Sequence, residues 1–150
     1  MSATKPIDEQ LVAALCRDGR ADVRDVAATV DAVPTTVQKR LRALRERGVI
    51  DGYAPAIDYG RLGYETVVFR LEVGLGAVDD VTARLRERTA FVTVYQMSDS
   101  ETVFAIGKFG TEGAVASCLC DLHDDDDVQG VETDRVVSVH CENRSPLVDG

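Results

Sequence analysis

The sequence has no long hydrophobic run, and none of its apolar stretches approaches the roughly 20 residues that a membrane-spanning helix needs. Residues 1–6 also lack the apolar core of a signal peptide. These absences argue against a membrane protein, and we expect a cytoplasmic one.

Lysine is scarce, since only three of the 17 basic residues are Lys, whereas 17 of the 26 acidic residues are Asp. An Asp-rich, Lys-poor composition is typical of proteomes adapted to high internal salt, so we expect a halophilic archaeal source. Folding that did not respond to the removal of molar salt would contradict this expectation.

Cysteines and histidines are few and badly spaced for a metal or redox site. Cys16, Cys118, Cys120 and Cys141 form neither a zinc ribbon nor a CxxC pair, and free thiols are expected. On a helix Cys118 and Cys120 would lie about 200° apart, which prevents joint chelation of one ion. The acidic run 124–127 lacks the glycine and terminal Glu of an EF-hand and predicts a solvated loop. We therefore expect no metal and no cofactor.

The net charge of −9 is distributed unevenly along the chain. Residues 1–52 carry nine basic and eight acidic residues, a net of +1, whereas residues 53–150 carry eight and 18, a net of −10. Residues 34–48 hold five basic residues against Glu46, a net of +4. Because local potential decides where a phosphate backbone docks, this segment is the candidate nucleic-acid surface.

Apolar residues recur at helical spacing in three short segments near the N-terminus. The predicted helices cover residues 8–17, 23–30 and 34–47. Asp22 is a suitable N-cap for the second helix, and Pro34 occupies the first turn of the third, where proline is tolerated. Residues 49–57 combine short extended runs with turn residues and predict a wing hairpin. Together these features indicate a winged helix-turn-helix.

From Tyr64 the apolar repeat changes to a period of two, with Val67, Phe69, Leu71 and Val73 on one face of a strand. Predicted strands cover 64–73, 91–97, 102–109 and 131–140, and predicted helices cover 78–89 and 111–123. The order βαββαβ predicts an α+β, ferredoxin-like domain: a four-stranded antiparallel sheet with two helices on one face.

The third helix has the side chains of a DNA-recognition helix, which lies in the major groove. With Val37, Leu41 and Leu44 facing the core, the exposed side carries Thr35, Thr36, Gln38, Lys39 and Arg42. Gln can contact adenine and Arg or Lys can contact guanine, while Thr hydroxyls and helix-start amides can hold phosphates. Arg45 and Arg47 are expected to contact the DNA backbone. The alternative, an ordinary solvated basic face, is disfavoured by the helix–turn–helix–wing order.

An ordered set of segments carries a family resemblance. Several segments resemble the Lrp/AsnC (feast/famine) transcriptional regulators. Residues 18–21 and 26–30 resemble the family's first turn and second helix, and residues 34–44 resemble its recognition helix. Residues 48–53, with 62–64, resemble its wing and the start of its second domain. The resemblance covers nearly all of residues 7–64, while the βαββαβ half is similar in topology and length.

The resemblance implies a regulator that binds palindromic double-stranded DNA. It also implies dimers built through the second domain, often associated into tetramers or octamers. In many members an amino-acid effector binds near the turn between the second and third strands of that domain. Here this turn consists of Ser98, Asp99, Ser100 and Glu101.

Two positions depart from the family pattern. Val33 stands where members usually have a Ser that caps the recognition helix, so this end is expected to be capped by Thr36 or by a phosphate. Ser98 stands where the effector turn usually has Gly, at a place where close backbone approach or a positive φ is needed.

Two other functions are compatible with this architecture. Sirohaem decarboxylases share the two-part organisation, but their second-strand region is rich in His and Arg, and residues 92–97 here contain neither. The sequence shows no nucleophile–base pair and no phosphate loop, so we expect no enzymatic activity. A purely architectural protein, which would wrap DNA without an effector, stays open.

The expected organisation has four parts. Residues 1–52 form the DNA-binding domain, 53–63 a linker strand, 64–142 the effector and oligomerisation domain, and 143–150 a disordered tail.

Overall fold

The computed structural model describes residues 6–148, which divide into two compact units. One unit comprises residues 6–56 with 141–148, and the other comprises residues 57–140. The helices are α1 (Ile7–Arg17), α2 (Val23–Val30), α3 (Pro34–Glu46), α4 (Val78–Glu87) and α5 (Glu112–His123), and a 3-10 helix covers Tyr59–Leu62. The strands are β1 (Glu65–Val73), β2 (Phe91–Gln96), β3 (Thr102–Phe109) and β4 (Val128–Arg135). Among the described residues, no helix is long and apolar enough to cross a membrane.

The first unit is a three-helix domain with a small apolar core. Leu11 of α1, Val26 of α2 and Val37 of α3 are almost completely buried against one another. The helical repeat of the sequence predicts this arrangement correctly, although Leu41 is half-buried at the edge of the core.

The ends of the three helices follow local sequence signals. The Asp22 carboxylate accepts a hydrogen bond from the Asp25 amide at 2.9 Å, which confirms it as the N-cap of α2. Gly48 has a φ of 74° just beyond α3, a conformation that costs glycine little, and it lets the chain turn back.

The predicted wing hairpin is wrong. Within residues 49–57, all of which the structure describes, no β-strand forms. The amides of Val49 and Ile50 donate instead to the Leu44 carbonyl, at 2.9 and 3.2 Å, and so close the end of α3. Pro55 has no amide to donate, and two strands that pair only with each other are marginally stable in water.

The linker 53–63 is not a strand either. Residues 53–58 have no regular structure, and the 3-10 helix Tyr59–Leu62 follows. The Asp58 carboxylate accepts a hydrogen bond from the Arg61 amide at 3.2 Å, and Gly63 adopts a φ of 82°. Asp and Gly at these places favour a tight turn over an extended chain.

The second unit is the predicted four-stranded antiparallel sheet, with strand order β2-β3-β1-β4. One face packs against α4 and α5. There Val67, Phe69 and Leu71 are completely buried in one cluster with Val81 and Val115. Antiparallel pairing of β1 with both β3 and β4 confirms the ferredoxin-like topology.

The fourth strand lies earlier in the chain than predicted, at Val128–Arg135 instead of 131–140. Its pairing with β1 runs from Val73↔Val128 to Val67↔Arg135, and β1 begins only two residues before Val67. Beyond the bond from the Val136 amide to Thr66, no strand within residues 6–148 pairs with this segment. Val137 is accordingly 99% exposed, although its apolar character favoured a strand there.

The C-terminal segment differs from the disordered tail that the sequence predicts. Residues 141–148 group with the three-helix unit, and the Val148 amide donates to the Ser145 carbonyl in a turn. Leu147 and Val148 are half-buried. Residues 149–150 lie outside the described residues.

Candidate nucleic-acid interface

The candidate recognition helix α3 has one buried side, and its exposed surface divides into a ridge and two flanks. Each residue advances the helix by about 100°, so Val37 and Leu44, which are 0% and 2% exposed, mark the buried side. The opposite side is an exposed ridge of Thr35, Lys39 and Arg42. This ridge, with Gln38 beside it, contains most of the side chains that the sequence assigns to DNA contact.

One flank of α3 borders a shallow depression of about 420 Å³. Its lining residues are Val23, Gln38, Leu41, Arg42, Arg45, Glu46 and Tyr53. The depression therefore joins two predicted base-reading side chains, Gln38 and Arg42, to a predicted phosphate contact, Arg45. Tyr53, half-exposed in the loop after α3, is a neighbour that the sequence reasoning missed.

The opposite flank of α3 is occupied by an acidic residue of α1. The Asp8 carboxylate lies 3.5 Å from the Arg40 guanidinium and 3.9 Å from that of Arg47. The structure thus separates Arg47 from Arg45, although the sequence assigns both to the DNA backbone. Arg40 was not among the predicted contacts. Its spacing of seven residues from Arg47 places the two side chains on the same side of a helix, and this spacing could have identified Arg40 from the sequence.

The start of α3 is capped less than the sequence predicts. Within residues 6–148, neither Val33 nor Thr36 provides a side-chain cap there, so the expected Thr36 cap is wrong. Thr36 is half-buried, and its amide donates to the Val33 carbonyl at 3.0 Å. Because Val33 carries an apolar side chain, the positive end of the helix can still accept a phosphate.

The candidate effector turn between β2 and β3 is closed by its own aspartate. Asp99 accepts hydrogen bonds from the Glu101 and Thr102 amides at 3.0 and 2.9 Å, and from the Thr102 hydroxyl at 2.7 Å. The bond from the Thr102 hydroxyl, followed by the two amide bonds, lowers the pKa of Asp99. Ser100, and not Ser98, has the positive φ, at 63°. The Asp99 carboxylate is thus committed to the turn, while Ser98, Ser100 and Glu101 are exposed.

Several acidic residues of the second unit are tied to arginines. Arg84 of α4 donates hydrogen bonds of 2.9–3.0 Å to Asp125 and Asp127. Two of the four carboxylates in the acidic run 124–127 are therefore paired with this arginine. Arg135 binds both Glu112, bidentately at 2.7 and 2.9 Å, and Glu65 at 2.8 Å. The Glu112 and Glu65 carboxylates raise the pKa of Arg135, and Arg135 lowers that of Glu112.

Cys118 and Cys120 differ in their exposure. Cys118 is buried between α5 and the sheet, where desolvation raises the pKa of its thiol, whereas Cys120 is exposed. They point to different sides of α5, as the helical spacing predicts.

Comparison with known proteins identifies the three-helix unit. Residues 6–45 match the AsnC-type helix-turn-helix domain. The HTH-type transcriptional regulator FL11 of Pyrococcus horikoshii is 33% identical over 91 residues, which are 60% of each chain. FL11 of Pyrococcus furiosus is 28% identical over 138 residues, 91% of each chain. The three-helix unit is therefore an AsnC-type helix-turn-helix domain. The relatives that it matches are HTH-type transcriptional regulators.

Solved structures of transcriptional regulators have the same fold. The leucine response regulatory protein LrpA of Mycobacterium tuberculosis superposes with a TM-score of 0.81 at 23% identity, over 96% of this chain and 99% of LrpA. The complex of the Neisseria meningitidis regulator NMB0573 with L-Met gives a TM-score of 0.79 at 17% identity, over 93% and 94% of the two chains. Most of α3 lies within the matched helix-turn-helix domain, where it is the third helix.

Proposed function

We propose that this chain is a transcriptional regulator of the Lrp/AsnC type, which recognises specific double-stranded DNA sites through the exposed ridge of α3. The proposal rests on the division of α3 into a buried side and an exposed side. Val37 and Leu44 are buried, while Thr35, Lys39 and Arg42 face away from the core. An exposed helix with this chemistry fits the major groove.

The side chains divide by the kind of contact that each can make. Gln38, Lys39 and Arg42 read base edges. Gln38 can donate one hydrogen bond to adenine and accept another from it, and Lys39 and Arg42 can donate to the two acceptors of guanine. Thr35 and Thr36, at the positive end of α3, hold phosphates. Arg45 contacts the DNA backbone, and the same role for Arg47 requires its side chain to leave Asp8.

The decisive experiment is selection of duplexes from random genomic fragments, with fluorescence anisotropy of the enriched sequences. An enriched palindrome supports sequence-specific regulation by a symmetric oligomer. Lack of enrichment over random DNA across a range of salt concentrations would overturn it and favour an architectural role.

Replacing Arg42 with alanine should weaken binding to the enriched site by about 1–3 kcal/mol, because a bidentate base contact is lost. Random duplexes should lose much less affinity, and discrimination at one base position should relax. Anisotropy titrations on single-base variants of the site measure both effects. Arg17→Ala, which removes an exposed arginine at the end of α1, is the matched control. An equal loss on all duplexes would reassign Arg42 to a phosphate.

We also propose that the sheet unit assembles the dimer, through the face that α4 and α5 leave open. That face carries Val68, Phe104 and Ile106 in neighbouring register, with the half-exposed Tyr95 beside Phe104 on the edge strand β2. Arg70 lies opposite Glu132 on the same face, which gives a second copy complementary charges to meet. Further association into tetramers or octamers is part of this proposal.

Introducing a charge at Tyr95 should dissociate the oligomer without unfolding the sheet, because this side chain is 57% exposed in one chain. We expect Tyr95→Asp to weaken self-association at least about tenfold, since an unpaired charge in an apolar interface costs several kcal/mol. Sedimentation analysis over a concentration series provides the measurement. Val137→Asp adds the same charge at a 99% exposed position beyond β4. Equal oligomer sizes for both variants would exclude this face.

An amino acid is the proposed effector, bound at the turn Ser98–Glu101. The complex of a structural neighbour with L-Met and the exposure of Ser98, Ser100 and Glu101 support the proposal. Asp99 would shape the turn and leave ligand contact to the others. Repeating the duplex selection with an amino-acid mixture tests this point, since the affinity of the enriched site should shift.

The division of labour along the chain follows from these proposals. Residues 1–52 bind DNA, 53–63 link, and 64–142 assemble the oligomer and bind the effector. The two compact units support this scheme, although residues 141–148 group with the DNA-binding unit. We further propose a cytoplasmic regulator without enzymatic activity, which is supported by the absence of His and Arg from residues 92–97.

A further inference from the structure

Two arginines on one flank of α3 converge on a single carboxylate. Arg40 and Arg47 are seven residues apart, so they project within about 20° of each other, two helical turns apart. Both side chains reach Asp8, in the first turn of α1, at 3.5 and 3.9 Å. This flank therefore carries less positive charge than its sequence indicates.

The two arginines compensate the negative charge of the Asp8 carboxylate. Its Oδ1 atom is shielded from solvent and accepts no hydrogen bond within the described residues. A shielded carboxylate oxygen without a donor is costly, and nearby guanidinium charges reduce that cost. Removing either arginine from Asp8 would leave the carboxylate less well compensated.

The two contacts are also long enough to be broken. Arg135 approaches Glu112 to 2.7 Å, within hydrogen-bond distance, whereas the Asp8 contacts of 3.5 and 3.9 Å are Coulombic. Arg40 and Arg47 are 50% and 66% exposed, so a phosphate could compete for them.

We propose that Asp8 is a specificity-determining residue, which withholds Arg40 and Arg47 from the phosphates of non-specific DNA. A phosphate that approaches this flank is repelled by the carboxylate and must also separate it from its arginines. Random DNA offers no base contacts that would offset this cost. Asp8 thereby lowers non-specific affinity, while the ridge of Thr35, Lys39 and Arg42 carries specific binding. The inference rests on the proposed role of that ridge in DNA binding.

The test compares Asp8→Asn with Glu9→Gln, which removes the same charge from the next, exposed position. Anisotropy titrations use the full-length protein with a random duplex and with the enriched duplex, over a range of salt. We expect Asp8→Asn to bind random DNA about three- to tenfold more tightly, with a log–log salt slope steeper by about one to two, because up to two further phosphates are engaged. Glu9→Gln should change the affinity less than about twofold, and the enriched duplex should gain less than the random one.

A second variant identifies the arginine that is released. Arg47→Gln should reverse a large part of the gain when Asp8 is already Asn, and should have little effect on random DNA otherwise. Equal effects of Asp8→Asn and Glu9→Gln would overturn the proposal in favour of overall charge, as would unchanged binding by Asp8→Asn. Melting curves of each variant verify folding. If the wild-type protein prefers no duplex, sequence-specific regulation fails, yet the comparison on random DNA still decides the role of Asp8.

Discussion

Replacing Phe69 with alanine should lower the free energy of unfolding of the sheet unit by about 3–5 kcal/mol. The side chain is fully buried, and its ring lies 5.3 Å from that of Phe91 and 5.9 Å from that of Phe109. The three rings meet at steep angles, which are favourable for aromatic contacts. Because β1 is paired on both sides, the backbone cannot move inward to fill the cavity.

Urea titration followed by circular dichroism measures this loss, and Phe104→Ala is its matched control. Phe104 lies on β3, on the opposite face of the sheet, where it is half-buried. The control removes the same atoms from a half-buried position, so its cost in free energy of unfolding should be smaller. If the open face is the dimer interface, that cost should also depend on protein concentration. A loss below about 1 kcal/mol for Phe69→Ala would mean that the cavity collapses.

The elements that the sequence predicts correctly depend on local patterns. The helical repeat and the Asp22 cap determine α2 within a few residues, and the period of two in β1 reveals which face is buried. These predictions agree with the structure because each pattern reflects the contacts that its own segment makes with the core.

The errors arise in segments where the available hydrogen-bond partner, and not the apolar pattern, decides the structure. The wing does not form because Leu44 takes the amides of Val49 and Ile50, and β4 ends where β1 has no more residues to pair with it. In both segments the apolar residues favour strands, but a strand requires a neighbour that single-sequence patterns do not reveal.

The same limit applies to the candidate DNA surface. Helical spacing places Thr35, Lys39 and Arg42 on the exposed side of α3, as found. The spacing cannot show that Asp8, more than 30 residues earlier, lies beside Arg40 and Arg47. Net charge along the sequence therefore overstates the positive surface that this helix offers to DNA.

Leu44→Ala should cost the three-helix unit about 2–5 kcal/mol, a large part of the stability of a small domain. Leu44 is 2% exposed on the inner side of α3, so its removal leaves a cavity beneath the recognition helix. The Leu44 carbonyl accepts the Val49 and Ile50 amides through the backbone, and alanine preserves these bonds. The loss should therefore report packing alone.

Amide NMR signals of α1, α2 and α3 during urea titration measure the stability of this unit, and Leu75→Ala removes the same atoms from a 90% exposed position. We expect the control to change stability by less than about 0.5 kcal/mol. A loss below about 1 kcal/mol for Leu44→Ala would mean that the buried stripe of α3 is misplaced. The exposed ridge would then be misplaced as well, because both are assigned from one helical rotation. The stability of Leu44→Ala thus tests the orientation of the recognition helix independently of any DNA.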